Sequence, residues 1–398
     1  MKIPLVLSVL SVLSVLSVLS PAFAAGDILL GMSTALSGPT ARLGTAMRDG
    51  VLLGLERANR EGGIHGRRMR LIVLDDGYEP TRTAPNMRRL IENEEVLAVI
   101  GNVGTPTAIA SLPLVRKHHI PFMAPFSGAG VLRQTPAEKN VFNFRASYAE
   151  EIAAMVDALI VHGGLRPDEI AFFTQRDGYG DAGYTGGFAA LKRHGLTDER
   201  QVLHVRYPRN TLAVENALAD ILLTEKPPRA VIMVGAYAPC VKFIRLARES
   251  GLHSLFLSVS FVGGEFLAEE LGADGDDVLV TQVVPHPVTA TAPIVREYRA
   301  DLESAGGSKP GYVGLEGYIA ARLLTKALQA GEDPPSREGI VAALEGLGTF
   351  DFGLGLPLHL DSNEHQASHH VWATRLENGA LLPFHWGDIG TLLRRNSR

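Results

Sequence analysis

From Asp27 onward, short apolar runs alternate with amphipathic stretches, an order that implies parallel sheets covered by helices on both faces. The first run is DILLGMS (27–33). TAMRDGVLLGLERANREGG follows, with Met47, Gly50, Val51, Gly54, Leu55 and Ala58 on one helical face and a Gly-Gly stop at 62–63. Gly50, Gly54 and Ala58 are spaced by four, which predicts close packing of this helix on a sheet. RMRLIVLDD (68–76), a helix around 83–93, VLAVIG (96–101), a helix from Thr105 and IPFMAP (120–125) continue the alternation. VFNFRAS (141–147) leads into a second set of strands: EIAFFT (169–174), QVLHV (201–205), RAVIMVG (229–235), SLFLSVS (254–260) and DVLVTQV (277–283). The pattern predicts two doubly wound α/β halves.

After residue 284 the rhythm changes. Three helical patterns, at about 290–305, 314–330 and 336–346, run together before short β segments at 355–360 and 371–376. A chain that fills one domain, then a second, and then supplies more helices is expected to return to the first. The hinges are expected near Phe144–Ser147, Gln282–Pro287 and Phe350–Gly355. This divides the chain into a first lobe, 25–145 plus 285–350, and a second, 146–284 plus 351–398. A length of 398 residues with 46% hydrophobic content suits two cores. The single cysteine, Cys240, forms no internal disulfide and is expected to pack as a small apolar side chain.

The first 24 residues read as a signal peptide. Lys2 is a short basic region, Ile3 to Leu19 an apolar stretch, and Ala22-Phe23-Ala24 an A-x-A cleavage site. No later stretch is long and apolar enough to span a bilayer, so an exported protein cleaved after Ala24 is expected. The formal charge is −5, and neither a basic patch nor a polybasic segment is present, which argues against nucleic-acid and membrane partners.

Ligands of open α/β sheets sit outside the carboxyl ends of the strands. The loops there are LSGPTARLG (36–44), GNVGTPT (101–107) and PFSGAG (125–130) in the first half. In the second they are QRDGYGDAG (175–183), GAYAPC (235–240) and VSFVGG (259–264). In VIGNVGTPTA, Thr105 is expected to cap a helix with Pro106 in its first turn, an end suited to a small anion.

With these loops, and with GGIHGRRMRLIVLDD (62–76), the chain resembles the type I periplasmic solute-binding proteins of ABC transporters, in the branch that binds leucine, isoleucine and valine. The likeness spans the whole mature chain in order. It implies two Rossmann-like doubly wound lobes joined by three hinge crossovers, no catalysis, no cofactor, no metal, and a monomer that closes on a small-molecule solute. It also implies that Thr105, Phe126, Ser127 and Gly128 hold a ligand carboxylate, that Tyr179 and Tyr237 face it from the other lobe, and that Leu43 and Asn102 complete the set. For Tyr179 a rim residue packing on its neighbours is the other reading. Ser260 stands where the family's amino-acid binders place an acid for the ligand ammonium. Leu43 also stands where an aromatic residue is common, while Phe126 adds bulk, and together these departures point to a small aromatic or branched aliphatic carboxylate that need not carry an amine, with a branched-chain or other amino acid still open where Asp177 or Asp181 replaces the missing acid. The partner is an ABC permease or, alternatively, a membrane sensor kinase.

Two other constellations have plainer explanations. Gly178–Gly183 spells G-x-G-x-x-G, but it begins three residues past its strand, and the next strand ends in His204-Val-Arg206 rather than an acid, against a dinucleotide enzyme. His365, His369 and His370 form no H-E-x-x-H and are expected to be solvated; His118 and His119 suit a helix end.

Overall fold

The run ILLGMST becomes β1 (Ile28–Thr34), buried at every position but Leu29, as a central parallel strand requires. The computed structural model describes residues 26–307 and 309–396; the expected signal peptide and its cleavage site lie outside them. The first lobe continues through α1 (Ala41–Arg60), β2 (Met69–Asp75), α2 (Pro80–Arg88), β3 (Ala98–Ile100), α3 (Thr105–His118), β4 (Phe122–Met123) and β5 (Val141–Phe142). Its sheet is parallel, in the order β2-β1-β3-β4-β5. The order reverses beside β1, so the loops after β1 and β3 open at the switch point where ligands collect.

The second lobe begins with α4 (Tyr148–Asp157) and runs β6 (Ile170–Gln175), α5 (Gly178–Arg193), β7 (His204–Tyr207), α6 (Glu215–Leu222), β8 (Ala230–Val234), α7 (Tyr237–Glu249), β9 (Leu255–Ser258), α8 (Gly264–Leu271) and β10 (Leu279–Gln282). The chain then returns through α9 (Pro293–Ser304), α10 (Tyr312–Ala330) and α11 (Arg337–Glu345) to a hairpin, β11 (Gly348–Asp351) and β12 (Pro357–Leu360). It ends on the second lobe with β13 (Trp372–Glu377), β14 (Ala380–Pro383) and α12 (Ile389–Asn396). There the sheet order is β14-β13-β10-β9-β8-β6-β7, with β13 antiparallel to β10.

The small-residue stripe expected to press on a sheet presses on α10 instead. A Cβ on Gly50 would stand 2.0 Å from the carbonyl oxygen of Gly314, and one on Gly54 2.8 Å from Ala321 Cβ. The glycines therefore let two helix backbones touch and tie the returning chain to the first lobe.

The third crossover falls later than the sequence suggests. Gly353 and Gly355 shape the turn of the β11–β12 hairpin and are not a hinge. That hairpin stays on the first lobe, where Ile294 N–H donates to the Gly353 carbonyl and His365 stacks on Phe142 at 4.0 Å. The chain changes lobes at 367–371, alongside the first crossover: Ala367 N–H donates to the Asn143 carbonyl (2.8 Å) and Ser368 N–H to that of Phe144 (2.9 Å). Residues 351–366 thus pack with the first lobe. Of the histidines expected to be solvated, His365 is buried, and His369 is bonded at 2.6 Å to Glu150, which also completes a capping box with Ser147 at the start of α4.

Two expectations follow from this packing. Gly50→Ala should destabilise the fold by about 1–3 kcal/mol through overpacking, although alanine is the better helix former by about 1 kcal/mol. Denaturant unfolding reads this, with exposed Leu52→Ala as a near-neutral control; a more stable Gly50→Ala would overturn the close approach. The second concerns the crossovers. The bond to Glu150 holds His369 above its ordinary 6.5, so the folded state favours the protonated ring. That contribution is fully present below 6.5 and is lost as pH rises through the raised folded-state value. The Tm advantage of the natural chain over His369→Gln should therefore shrink as pH rises past 6.5. Parallel calorimetric profiles would mean that His369 braces nothing.

Candidate ligand-binding site

The loops after β1, β2, β3 and β4 meet those after β6, β8 and β9 in one closed cleft. Gly104, not Thr105, is the residue before α3, and Thr105 is the first helical position. Gly104 has φ 106°, and a Cβ there would stand 2.1 Å from the Tyr78 ring, so only glycine fits. Thr105 makes no cap bond, and its hydroxyl pairs with the Ser127 hydroxyl at 2.7 Å. Both residues are buried, and Ser127 Oγ also accepts from Ala129 N–H at 3.2 Å. Phe126 N–H is bound to the Asn102 carbonyl, and Gly128 offers its carbonyl to Tyr148 N–H. Asn102 itself turns away: its side chain accepts from Ser33 N–H at 3.0 Å and reaches Met87 sulfur at 3.3 Å, which staples β3 to β1. Leu43 is buried beside Gly263 of the other lobe, where a Cβ would meet Leu43 Cδ2 at 2.5 Å.

From the second lobe, Tyr179 is fully buried, its hydroxyl on the Gly235 carbonyl at 3.3 Å. Tyr179 is therefore not at the rim, although it does pack on its neighbours Tyr148 and Phe261. Tyr237, the first residue of α7, lies against Phe266 (5.5 Å between centroids) and under Arg42, to one side of the central rings. Asp177 caps α5 by accepting from Tyr179 and Gly180 N–H and also takes Gln175 Nε2 at 2.7 Å; burial pushes its carboxyl up. Asp181 is exposed and paired with Arg206 at 2.6 Å. Neither acid is free to serve the ligand, so the expectation that one replaces the acid missing at Ser260 fails.

Three of the rings at the centre, Phe261, Tyr78 and Tyr148, were not singled out by sequence. Phe261 contacts Tyr179 (4.6 Å), Phe126 (5.2 Å), Tyr78 (6.2 Å) and Tyr148 (6.4 Å), drawing on both lobes. Tyr78 holds a left-handed backbone, φ 64°, and its hydroxyl accepts from Gln175 Nε2 of the other lobe at 3.2 Å. A buried charge cluster adjoins the rings. Arg145, in the first crossover, lies 4.9 Å over Phe126, and Arg133 reaches from the Ser127 carbonyl to that of Arg145 and to Gln366. Ser260 donates its N–H to Glu151 at 2.7 Å, so its surroundings do contain an acid, supplied by α4. The signal in the sequence was a lone arginine inside the apolar run VFNFRAS.

The lobes also meet at the cleft edges. Arg209 pairs with Glu79 at 2.6 Å, Asn210 Nδ2 donates to the Gly77 carbonyl, and Glu265 accepts from Val313 N–H at 3.0 Å. Arg42 pairs with Glu269.

Two α/β lobes, three crossovers and convergent loops in a cleft between them define a two-lobed receptor of the solute-binding class. Residues 27–380 match the model of a family described as periplasmic binding protein, and the chain belongs to that family. It is 48% identical to a possible leucine/isoleucine/valine-binding protein from Rhodopirellula baltica SH 1, whose crystal structure superposes with a TM-score of 0.88 over 92% of this chain and 98% of that one. It is 25% identical over 323 residues, 77% of each chain, to Leu/Ile/Val-binding protein homolog 7 of Brucella abortus. A solute-binding protein of R. palustris, solved in complex with benzoate, shares the fold at 22% identity, with a TM-score of 0.78 over 90% of this chain and 96% of that one. Among the described residues no helix is long and apolar enough to cross a membrane.

Proposed function

We propose that this protein captures a small carboxylate-bearing solute between its lobes outside the cytoplasm and delivers it to an ABC transporter, without catalysing a reaction. The observation that carries this reading is the convergence of the Thr105–Ser127 hydroxyl pair with rings from both lobes on one buried spot. Hydroxyls held in place by Ala129 N–H and by each other are preorganised donors for an anion. Phe126 and Tyr148 on one side and Tyr179 and Phe261 on the other suit an apolar tail. A solute that touches both lobes favours the closed arrangement over the open one, which is the difference a transporter can read. The relatives' names, Leu/Ile/Val-binding, fit such a ligand: a carboxylate with a compact apolar side chain.

A thermal-shift screen of residues 25–398 against branched-chain and aromatic amino acids and their deaminated acids tests the reading. A true ligand at 100 times its Kd adds about 2.7 kcal/mol of stability. Thr105→Ala should then weaken that ligand by about 1–3 kcal/mol in a titration; unchanged affinity would remove Thr105 from the site.

A further inference from the structure

Arg145 is 1% exposed, yet its guanidinium is only partly bonded. Nη2 donates to Glu151 Oε1 at 3.1 Å and to the Ser260 hydroxyl. Nη1 lies 3.6 Å from Glu316 Oε1, beyond hydrogen-bond distance. Among the described residues neither Nη1 nor Nε has a hydrogen-bond partner. A buried guanidinium with two of its three nitrogens unmatched is a heavy penalty for a purely structural ion pair. We infer that Arg145 is the cationic anchor of the cleft, taking the carboxylate of a ligand with an aromatic or branched apolar tail and no ammonium; the inference rests on the solute-binding reading.

The neighbours support the exclusion of an amine. Glu151 accepts from Ser260 N–H (2.7 Å), the Ser260 hydroxyl (3.0 Å), Arg145 and the Thr281 hydroxyl, which fills its acceptor sites. With Asp177 and Asp181 also engaged, an ammonium here would meet Arg145 and find Glu316 already drawn to that guanidinium at 3.6 Å. Glu316 on α10 is the remaining acid. Burial pushes its carboxyl up to about 7, against the pull of Arg145. It faces Arg145 in the crossover, Glu151 on α4, Arg133 ahead of β5 and Glu265 on α8. Ionised, Glu316 competes for Arg145; protonated, it leaves the guanidinium to the ligand. Acid ligands should therefore bind more tightly near pH 6 than near pH 8.

Calorimetric titration of residues 25–398 with 3-phenylpropionate, 3-phenylpropionamide and L-phenylalanine, and with 4-methylpentanoate and L-leucine, tests this. Each acid is expected to outbind its amino acid, and 3-phenylpropionate its amide. Arg145→Gln should lose about 30-fold in acid affinity and level acid with amide, while Arg145→Lys keeps part of the preference. Equal weakening of acid and amide would assign Arg145 a structural role and overturn the inference. Should Arg145→Gln fail to fold, Glu316→Gln decides: it should abolish the fall in acid affinity from pH 6 to pH 8, and an unaltered fall would overturn the anchor. Amino acids outbinding their acids would overturn Arg145 as anchor and leave the receptor reading intact. No binding of either member of both pairs would overturn the receptor reading, and the inference with it.

Discussion

The backbone contact between α1 and α10 is the constraint on which the rest of the molecule depends. Where Gly50 faces the Gly314 carbonyl there is no room for any side chain, and Gly317 meets the Met47 carbonyl in the same way. This contact sends the chain back to the first lobe after the second is complete. Without it the helices after β10 would have no seat, and the lobes would be joined by one crossover, free to twist. With it, the chain crosses three times, and relative motion is confined to a hinge. Restricting the motion to opening and closing brings the same loops together each time, which a cleft assembled from both lobes requires.

The hinge and the cleft share residues. Arg133 bonds the Ser127 carbonyl, the Arg145 carbonyl and Gln366, so one side chain joins the β4 loop to the first crossover and to the residue just ahead of the third. Glu150 ties Ser147 in the first crossover to Gln366, just ahead of the third, and to His369 within it. A change of hinge angle therefore bears on the backbone of Ser127 and of Arg145, whose carbonyls Arg133 holds.

Much of the fold was legible because parallel strands buried on both faces read as continuous apolar runs, as AVIMV at 230–234 does. The hairpin after α11 was misread because glycine serves hinges and tight turns alike; only the pairing of Thr349 with His359 and Phe350 with Leu358 shows which. The lining of the cleft was legible where a loop follows a strand end, hence the proposed contacts Thr105, Ser127 and Tyr179. It was illegible where a side chain's meaning depends on the opposite lobe. Phe261 reads as one more apolar residue in SVSFVGG until Phe126 and Tyr78 are brought to it. Ser260 read as a missing acid because Glu151 lies more than 100 positions earlier and reaches it only through the packing of α4. Asn102 erred the other way: a polar residue at a strand end suggests a ligand contact, whereas its carbonyl and amide are both consumed within the first lobe.

The forces that close the lobes are unequal. Arg209–Glu79 and Arg42–Glu269 are partly exposed, and pairs of that kind are worth about 0–1 kcal/mol each. Burying one phenylalanine side chain is worth about 1.5–3 kcal/mol, so Phe261 among four rings outweighs the edge pairs. Closure on rings alone, however, leaves Nε and Nη1 of Arg145 without hydrogen bonds among the described residues. With Arg145 as anchor, the apolar contacts make closure accessible and the anion makes it favourable, because only the liganded closed cleft satisfies both the rings and the charge. A neutral apolar molecule would relieve the first requirement but not the second. An ammonium would aggravate the second. The coupling of closure to a carboxylate then needs no moving part beyond the hinge, since the penalty for closing without the anion resides in one buried side chain.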